Sequence, residues 1–350
     1  MAMTIVDASG VTGGVDTHLD VHVTAALDHI GGLLGVESFE ASEAGYRALL
    51  GWLEGFGQVG RVGVEGTGSY GAGLARFLYH QGVEVVEVDR PNRQLRHRKG
   101  KSDPTDAVAA ARAALSGSAL GKPKLRSGPV EQMRVLMVAR RSARDQRIQT
   151  LNQIRHLVFT APEEIRERFL GRYQRGMVAE MAALRPRQGP DPVAHVTLLT
   201  LRNLARRITA LDREIRDTRR RLQELVSQVA PSLLELHGVG VQGAATLLVA
   251  AGDNPERLRS EAAWAHLCGV APIPASSGKV IRHRLNRGGD RQANSALYRV
   301  VISRMSSDAR TKDYVARRRG EGRTTGEIVR ALKRYVAREV YRHLPQSKDQ

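Results

Sequence analysis

Cysteine is nearly absent: Cys268 is the only one in 350 residues. A lone thiol rules out an intrachain disulfide and a thiolate zinc cluster, and it fits a reducing compartment. Long apolar runs are missing too. No stretch approaches the roughly 20 residues of a membrane span, and the opening, MAMTIVDASG, has neither the basic nor the apolar region of a signal peptide. The expectation is a soluble protein of the cytoplasm without a membrane partner. Acidic residues are in deficit, 36 against 54 Lys and Arg, for a net charge of +18. That excess points to a polyanion, with nucleic acid as the first candidate. The deficit is uneven. Through Arg112 there are 10 basic and 14 acidic residues, net −4, which leaves 44 and 22, net +22, for the rest. The acidic and basic parts therefore differ in role. Abundant Arg, Ala and Gly are also what a GC-rich genome produces, so part of the arginine excess reads as nucleotide bias.

The acidic part reads as α/β. Residues 11 to 28, VTGGVDTHLDVHVTAALD, pair an apolar entry with an alternating segment, Val21, Val23 and Ala25 against His22 and Thr24, as adjacent strands do. A further pairing follows at Gly32 to Phe39. A helix over Glu43 to Gly55 carries Tyr46, Leu49, Leu50 and Leu53 at helical spacing. Then come a strand ending at Glu65, a helix from about Tyr70 to His80, and the strand Val83 to Asp89. Strands alternating with helices predict an α/β domain whose strand ends gather functional side chains.

Asp16 and Glu65 lie in or at the end of these apolar strands, where a carboxylate is costly unless paired. KGKSDPTD, Lys99 to Asp106, adds two more acids after a basic patch that includes Lys99 and Lys101. Pro104 stands at the expected first helical position, so Asp103 reads as an N-cap and both acids project from the first turn. Each acid alone has an ordinary structural explanation. Together, Asp16, Glu65, Asp103 and Asp106 form the set that phosphodiester chemistry needs, because crowded carboxylates repel until divalent cations bridge them. Oxygen-only ligation selects Mg2+ or Mn2+ over zinc.

A competing motif is GTGSYG, Gly66 to Gly71, which matches a dinucleotide-binding fingerprint after a strand and before a helix, with Asp89 ending the next strand. Against it, that fingerprint normally opens its domain, whereas strands precede it here. The simpler role of these glycines is a tight turn after Glu65.

Past a connector, SGSALGKPKLRSGP, the chain reads as helical. Val130 to Val158 carries Arg140, Arg141 and Arg144 opposite an apolar side, a candidate phosphate-tracking face. Leu201, Leu204, Ile208, Leu211, Ile215, Thr218, Leu222, Leu225 and Val229 form a heptad seam with one polar interruption. The seam serves either packing within one chain or association with another subunit, and its strict two-position pattern favours the second. Beyond Pro231, LLELHGVGVQGAATLLVAAG reads as a helix, a glycine turn and a helix. GVAPIPASSGK then places Ser276 and Ser277 in a Pro- and Gly-bounded loop, followed by Lys279, Arg282, Arg284 and Arg287. Such a loop is usually only flexible. Cations beside a serine also suit attack on a phosphodiester, since they stabilise the pentacoordinate charge.

With these residues in view, the chain resembles transposases of the insertion sequence one-ten family, the DEDD transposases related to the Piv invertase. Asp16 in GVDTHLD, Glu65 in VEGTGSY, and Asp103 with Asp106 in KSDPTDA fit the four acidic positions. HGVGVQGAATLLVAAGD, WAHLCGVAP, SSGK and NRGGDRQANSALY follow in the expected order. The resemblance implies a RuvC-like (RNase H-like) domain over 1–118, a helical coiled-coil region over 127–230 and a mostly α-helical transposase domain over 231–345. It implies a recombinase that joins the metal site to a serine nucleophile covalently linked to DNA. The serine carried over is Ser277, with Ser276 its immediate neighbour. A structured guide RNA from the element's noncoding end, and homodimers or homotetramers through the coiled coil, are implied as partners. The alternatives carried forward are a RuvC-type metal-dependent structure-specific nuclease needing no serine, a nicotinamide enzyme, and a non-catalytic nucleic-acid binder.

Overall fold

The computed structural model describes residues 10–88, 102–119, 121–171, 174–254, 257–276 and 283–345. The chain packs as two compact units, one comprising the chain up to Gly128 with Ala251–Ala263, the other Pro129–Ala250 with Trp264–Pro345.

In the first unit, β1 (Gly10–Thr17), β2 (Val21–Leu27) and β3 (Leu33–Glu40) form an antiparallel meander. After α1 (Glu43–Glu54), β4 (Gln58–Glu65), α2 (Ala72–His80) and β5 (Glu84–Val88) extend the sheet in parallel on the other side of β1. The strand order is β3-β2-β1-β4-β5. One face carries Val11, Val15, Val62 and Val64 against Leu49, Leu50 and Leu53 of α1 and Leu74 and Leu78 of α2. Each such side chain, fully buried, stabilises by about 1.5–3 kcal/mol.

The opposite face is built for closeness rather than bulk. The next described helix, α3 (Asp103–Leu115), turns Asp106, Ala107, Ala110, Ala111 and Ala114 inward. Gly14 and Gly63, partners across β1 and β4, leave no room for a side chain: a Cβ on Gly14 would lie 2.0 Å from the Ala111 nitrogen, and one on Gly63 2.6 Å from the Ala110 carbonyl oxygen. Side chains alternate along a strand, so Asp16, two residues past Gly14, and Glu65, two past Gly63, stand on this same face. The segment Ala251–Ala263 is tied to the unit by Asn254 Nδ2 donating to the Pro123 carbonyl at 3.0 Å and Arg257 Nε to that of Lys122 at 3.0 Å.

The second unit is helical. It contains α4 (Gly128–Phe159), α5 (Glu163–Phe169), α6 (Gln174–Ala183) and α7 (Pro192–Val229). Leu151, Ile154 and Val158 of α4 share a core with Phe169, Met177, Met181 and with Leu201, Ala205 and Ile208 of α7. The heptad seam is thus occupied within one chain along this part of α7. Farther on, Leu211, Thr218, Leu222 and Val226 are also buried, and Thr218 Oγ1 donates to the Glu214 carbonyl at 2.8 Å, which satisfies the polar interruption locally. The short α5 and α6, absent from the sequence reading, supply much of what the seam packs on.

The chain continues with α8 (Ser232–Glu235), α9 (Val241–Ala251), α10 (Glu261–Leu267), a small hairpin of β6 (Ile273–Pro274) and β7 (His283–Arg284), then α11 (Arg291–Ser307), α12 (Ala309–Gly320) and α13 (Thr325–Tyr341). None of the described helices is long and apolar enough to cross a membrane.

Candidate metal centre

The end of β1 and the start of α3 bring together residues that are far apart in the chain. Asp16 is buried near the strand end, and His18 follows just past it on the same side of the extended backbone. Because α3 starts over this end of β1 and runs back along it, Asp103 in its first turn reaches the pair. His18 Nε2 lies 3.3 Å from Asp16 Oδ2 and 3.5 Å from Asp103 Oδ2. The three residues offer ligand atoms that all fall within 4.8 Å of one another. The Asp16 side chain is 10% exposed, whereas those of His18 and Asp103 are 41% and 47% exposed, so the group is closed toward the sheet and open toward solvent.

The helix start differs from its sequence reading by one position. Ser102, not Asp103, is the N-cap, and Pro104 is the second helical residue. Asp103 is therefore a first-turn residue with its carboxylate available. Asp106, one turn on, is buried against the sheet. Glu65 ends β4 on the α3 face, and its carbonyl oxygen accepts a hydrogen bond from Thr17 Oγ1 at 2.8 Å, locking the ends of β1 and β4 together. Glu65 and Asp106 share the face and the end of the sheet with the three-residue group but do not belong to it.

The donor set fits a divalent cation. The nearest point equidistant from three atoms with the separations above lies no more than about 2.4 Å from each, within reach of bonds to a divalent cation. His18 Nε2 is buried and makes no hydrogen bond, although two carboxylates flank it. This is the residue that the sequence reading missed. Its only signal is the Asp-x-His spacing at a strand end, which puts two potential ligands on one side.

Of the other predicted residues, Ser277, Lys99, Lys101, Lys279 and Arg282 lie outside the described residues, as does Asp89. The frame around the serine loop is described. Asn286 Nδ2 donates to the His266 carbonyl at 2.9 Å, and Asn294 Nδ2 donates to those of Cys268 at 2.9 Å and Gly269 at 3.2 Å. Lys333 Nζ donates to Asn294 Oδ1 at 2.9 Å, and Asp290 caps α11 through the Gln292 and Ala293 amides. The polar residues of NRGGDRQAN thus brace the segment after WAHLCG, while Arg284 and Arg287 are exposed. Cys268 is fully buried, and burial pushes its thiol far above the ordinary range, so it is no nucleophile at neutral pH.

On α4, Arg141 bonds Gln292 Oε1 at 2.7 Å and Arg144 pairs with Asp145 at 3.0 Å. Burial, followed by the positive charges of Arg144 and Arg219, lowers the guanidinium pKa of Arg140. Three like charges gathered in this way favour an anion between them. In the glycine loop, Gly66 takes φ +70° to turn the chain, and Arg126 Nη2 donates to the Gly68 carbonyl at 2.6 Å.

Comparison with known sequences decides the family. Residues 13–161 match a DEDD transposase model of the IS110 type, and residues 230–316 match one described as Transposase IS116/IS110/IS902 family. The chain belongs to the IS110 family of transposases. Among relatives, the insertion element IS110 uncharacterized 43.6 kDa protein of Streptomyces coelicolor is 32% identical over 135 residues, 38% of this chain and 33% of that protein. The insertion element IS900 uncharacterized 42 kDa protein of Mycobacterium paratuberculosis is 30% identical over 146 residues, 41% and 37% of the two chains. The chain thus spans about a third of the length of the curated relatives it matches. The first IS110 segment contains all four predicted acids and His18; the second contains the serine loop and its bracing asparagines.

Proposed function

We propose that this chain is the DNA transposase, and hence recombinase, of a mobile insertion element, with a metal site and a serine acting on the same strand. The observation that carries the reading is the meeting of Asp16 and Asp103, 87 residues apart in a family member, at one end of a five-stranded sheet whose same face also bears Glu65 and Asp106. The strand order, with β1 at the centre, supports a RuvC-like identity for this unit.

Asp16, Glu65, Asp103 and Asp106 would hold magnesium or manganese. Bound divalent ions supply Lewis-acid charge to phosphate oxygens. The chain's own part is covalent: Ser277 Oγ forms a bond to phosphorus as the bond from phosphorus to a sugar oxygen breaks. A general base takes the seryl proton, and the departing oxygen acquires one from solvent. Attack by a hydroxyl of a second strand on the seryl phosphodiester then releases the serine and joins the strands. Lys279, Arg282, Arg284 and Arg287 neutralise the charge that develops on the phosphate, while Arg140, Arg141, Arg144, Lys99 and Lys101 hold the backbone of the nucleic acid. The organisation into 1–118, 127–230 and 231–345, a structured guide RNA, self-association beyond the intrachain use of the seam, and work at the bacterial nucleoid belong to the same proposal.

The test is capture of a protein-DNA adduct on suicide substrates with Mg2+ or Mn2+. Wild type should form the adduct, and Ser277→Ala should lose it while keeping DNA affinity. Metal-dependent cleavage with free ends and no adduct would favour the nuclease reading. Full recombination by Ser277→Ala would overturn the serine's role.

A further inference from the structure

We infer that His18 is a nitrogen ligand of the ion held by Asp16 and Asp103, so that this part of the centre is mixed nitrogen and oxygen in character. The inference rests on the metal-dependent reading above and adds a donor outside the four acids. A histidine serving only as an ion-pair partner would close on one carboxylate to about 2.7–2.9 Å, the length of a charge-assisted hydrogen bond. His18 Nε2 instead stands almost equidistant from two carboxylate oxygens, at 3.3 and 3.5 Å, and makes no hydrogen bond to either. Neighbouring ligands on an octahedral ion are separated by about 3 Å, and opposite ones by about 4.2 Å, given bonds near 2.1 Å. Both separations from His18 Nε2 therefore fall between those of neighbouring and opposite ligands in one sphere.

The backbone fixes this arrangement. Gly14 sets β1 against the alanine stripe of α3, Asp16 follows on the same face, and His18 continues that alternation beyond the strand end, over the first turn of α3. Imidazole binds first-row transition-metal ions better than it binds magnesium, a hard main-group cation that prefers oxygen. The centre should accordingly hold Mn2+ more tightly than Mg2+, and loss of His18 should narrow that preference.

Pulsed electron paramagnetic resonance of the full-length protein loaded with Mn2+ tests this. Wild type should show coupling to a coordinated nitrogen that changes from 14N to 15N character when histidines are isotopically labelled. His18→Gln, whose fold is checked by circular dichroism, should lose the coupling and bind Mn2+ at least tenfold more weakly, with a smaller change for Mg2+. Bound Mn2+ without nitrogen coupling, or coupling that survives in His18→Gln, overturns the inference and leaves the acidic site standing. Absence of Mn2+ binding, or binding undiminished in Asp16→Asn, overturns the metal-dependent reading itself.

Discussion

Gly14→Ala is the sharpest probe of how the site is built. The added methyl would meet three backbone atoms of α3: the Ala111 nitrogen at 2.0 Å, the Ala107 carbonyl oxygen at 2.4 Å and the Ala111 Cα at 2.5 Å. None of these can rotate away as a side chain tip would. Reaching ordinary contact, which begins at 3.4 Å, requires local retreat of the helix by roughly 1.4 Å in an interior packed like an organic crystal. Overpacking by a methyl group typically costs about 1–3 kcal/mol, and backbone neighbours put this case at the upper end. The effect on the ion should exceed the effect on stability. A metal constellation tolerates displacements of only about 0.5 Å, and α3 carries Asp103 and Asp106 with it. Urea unfolding and Mn2+ titration, run together, separate the two effects. Gly51→Ala is the control, since a Cβ there meets nothing within 4 Å on a helix where Ala is preferred by about 0.5–1 kcal/mol. Gly14→Ala that unfolds and binds Mn2+ like wild type would refute the close seating of α3 on β1.

Asn294→Ala removes the shared partner of the Cys268 and Gly269 carbonyls and of Lys333, and should cost about 1–3 kcal/mol in urea unfolding; an unchanged midpoint would show the brace to be redundant. Burial holds the His22 imidazole below its ordinary value of 6.5, so on acidification the unfolded chain takes up its proton first. This contribution is complete above pH 6.5 and is lost as pH falls toward the lowered value. His22→Phe, which can keep the stack on Tyr46, should flatten the stability slope as pH falls below about 6.5, and equal slopes in both proteins would exclude His22 as its source.

Much of the α/β unit was legible because its signals are local. The alternation of Val21, Val23 and Ala25 with His22 and Thr24 marks a strand whatever surrounds it, but it does not say that the polar side is buried as well. His22 and Thr24 are both 0% exposed, with His22 stacked on Tyr46 of α1. The alanine stripe of α3 was harder to see. Ala107, Ala110, Ala111 and Ala114 lack the bulk that marks a core face, and abundant Ala and Gly read naturally as nucleotide bias. Their value appears only where Gly14 and Gly63 meet them. The seam of α7 shows a different limit, because periodicity fixes which side of a helix is buried and is silent on what buries it. Here Phe169, Met177 and Met181, on short helices without long patterns of their own, cover part of it.

At the site, Asp16 and Glu65 were legible as carboxylates placed where apolar strands make them costly, and Asp103 and Asp106 as acids opening a helix. Their convergence was not legible, because it depends on register. The β1/β4 pairing slips by one residue between Val11 and Thr12: Val11 pairs with Val59, but Thr12 pairs with Arg61, leaving Gly60 as an extra residue. From there Val15 pairs with Val64, and the next step brings Asp16 level with Glu65. Without the slip, Glu65 would stand level with Thr17, whose side chain points to the other face. One bulged glycine, with room around it and no sequence signature, therefore decides whether the two strands present their acids side by side.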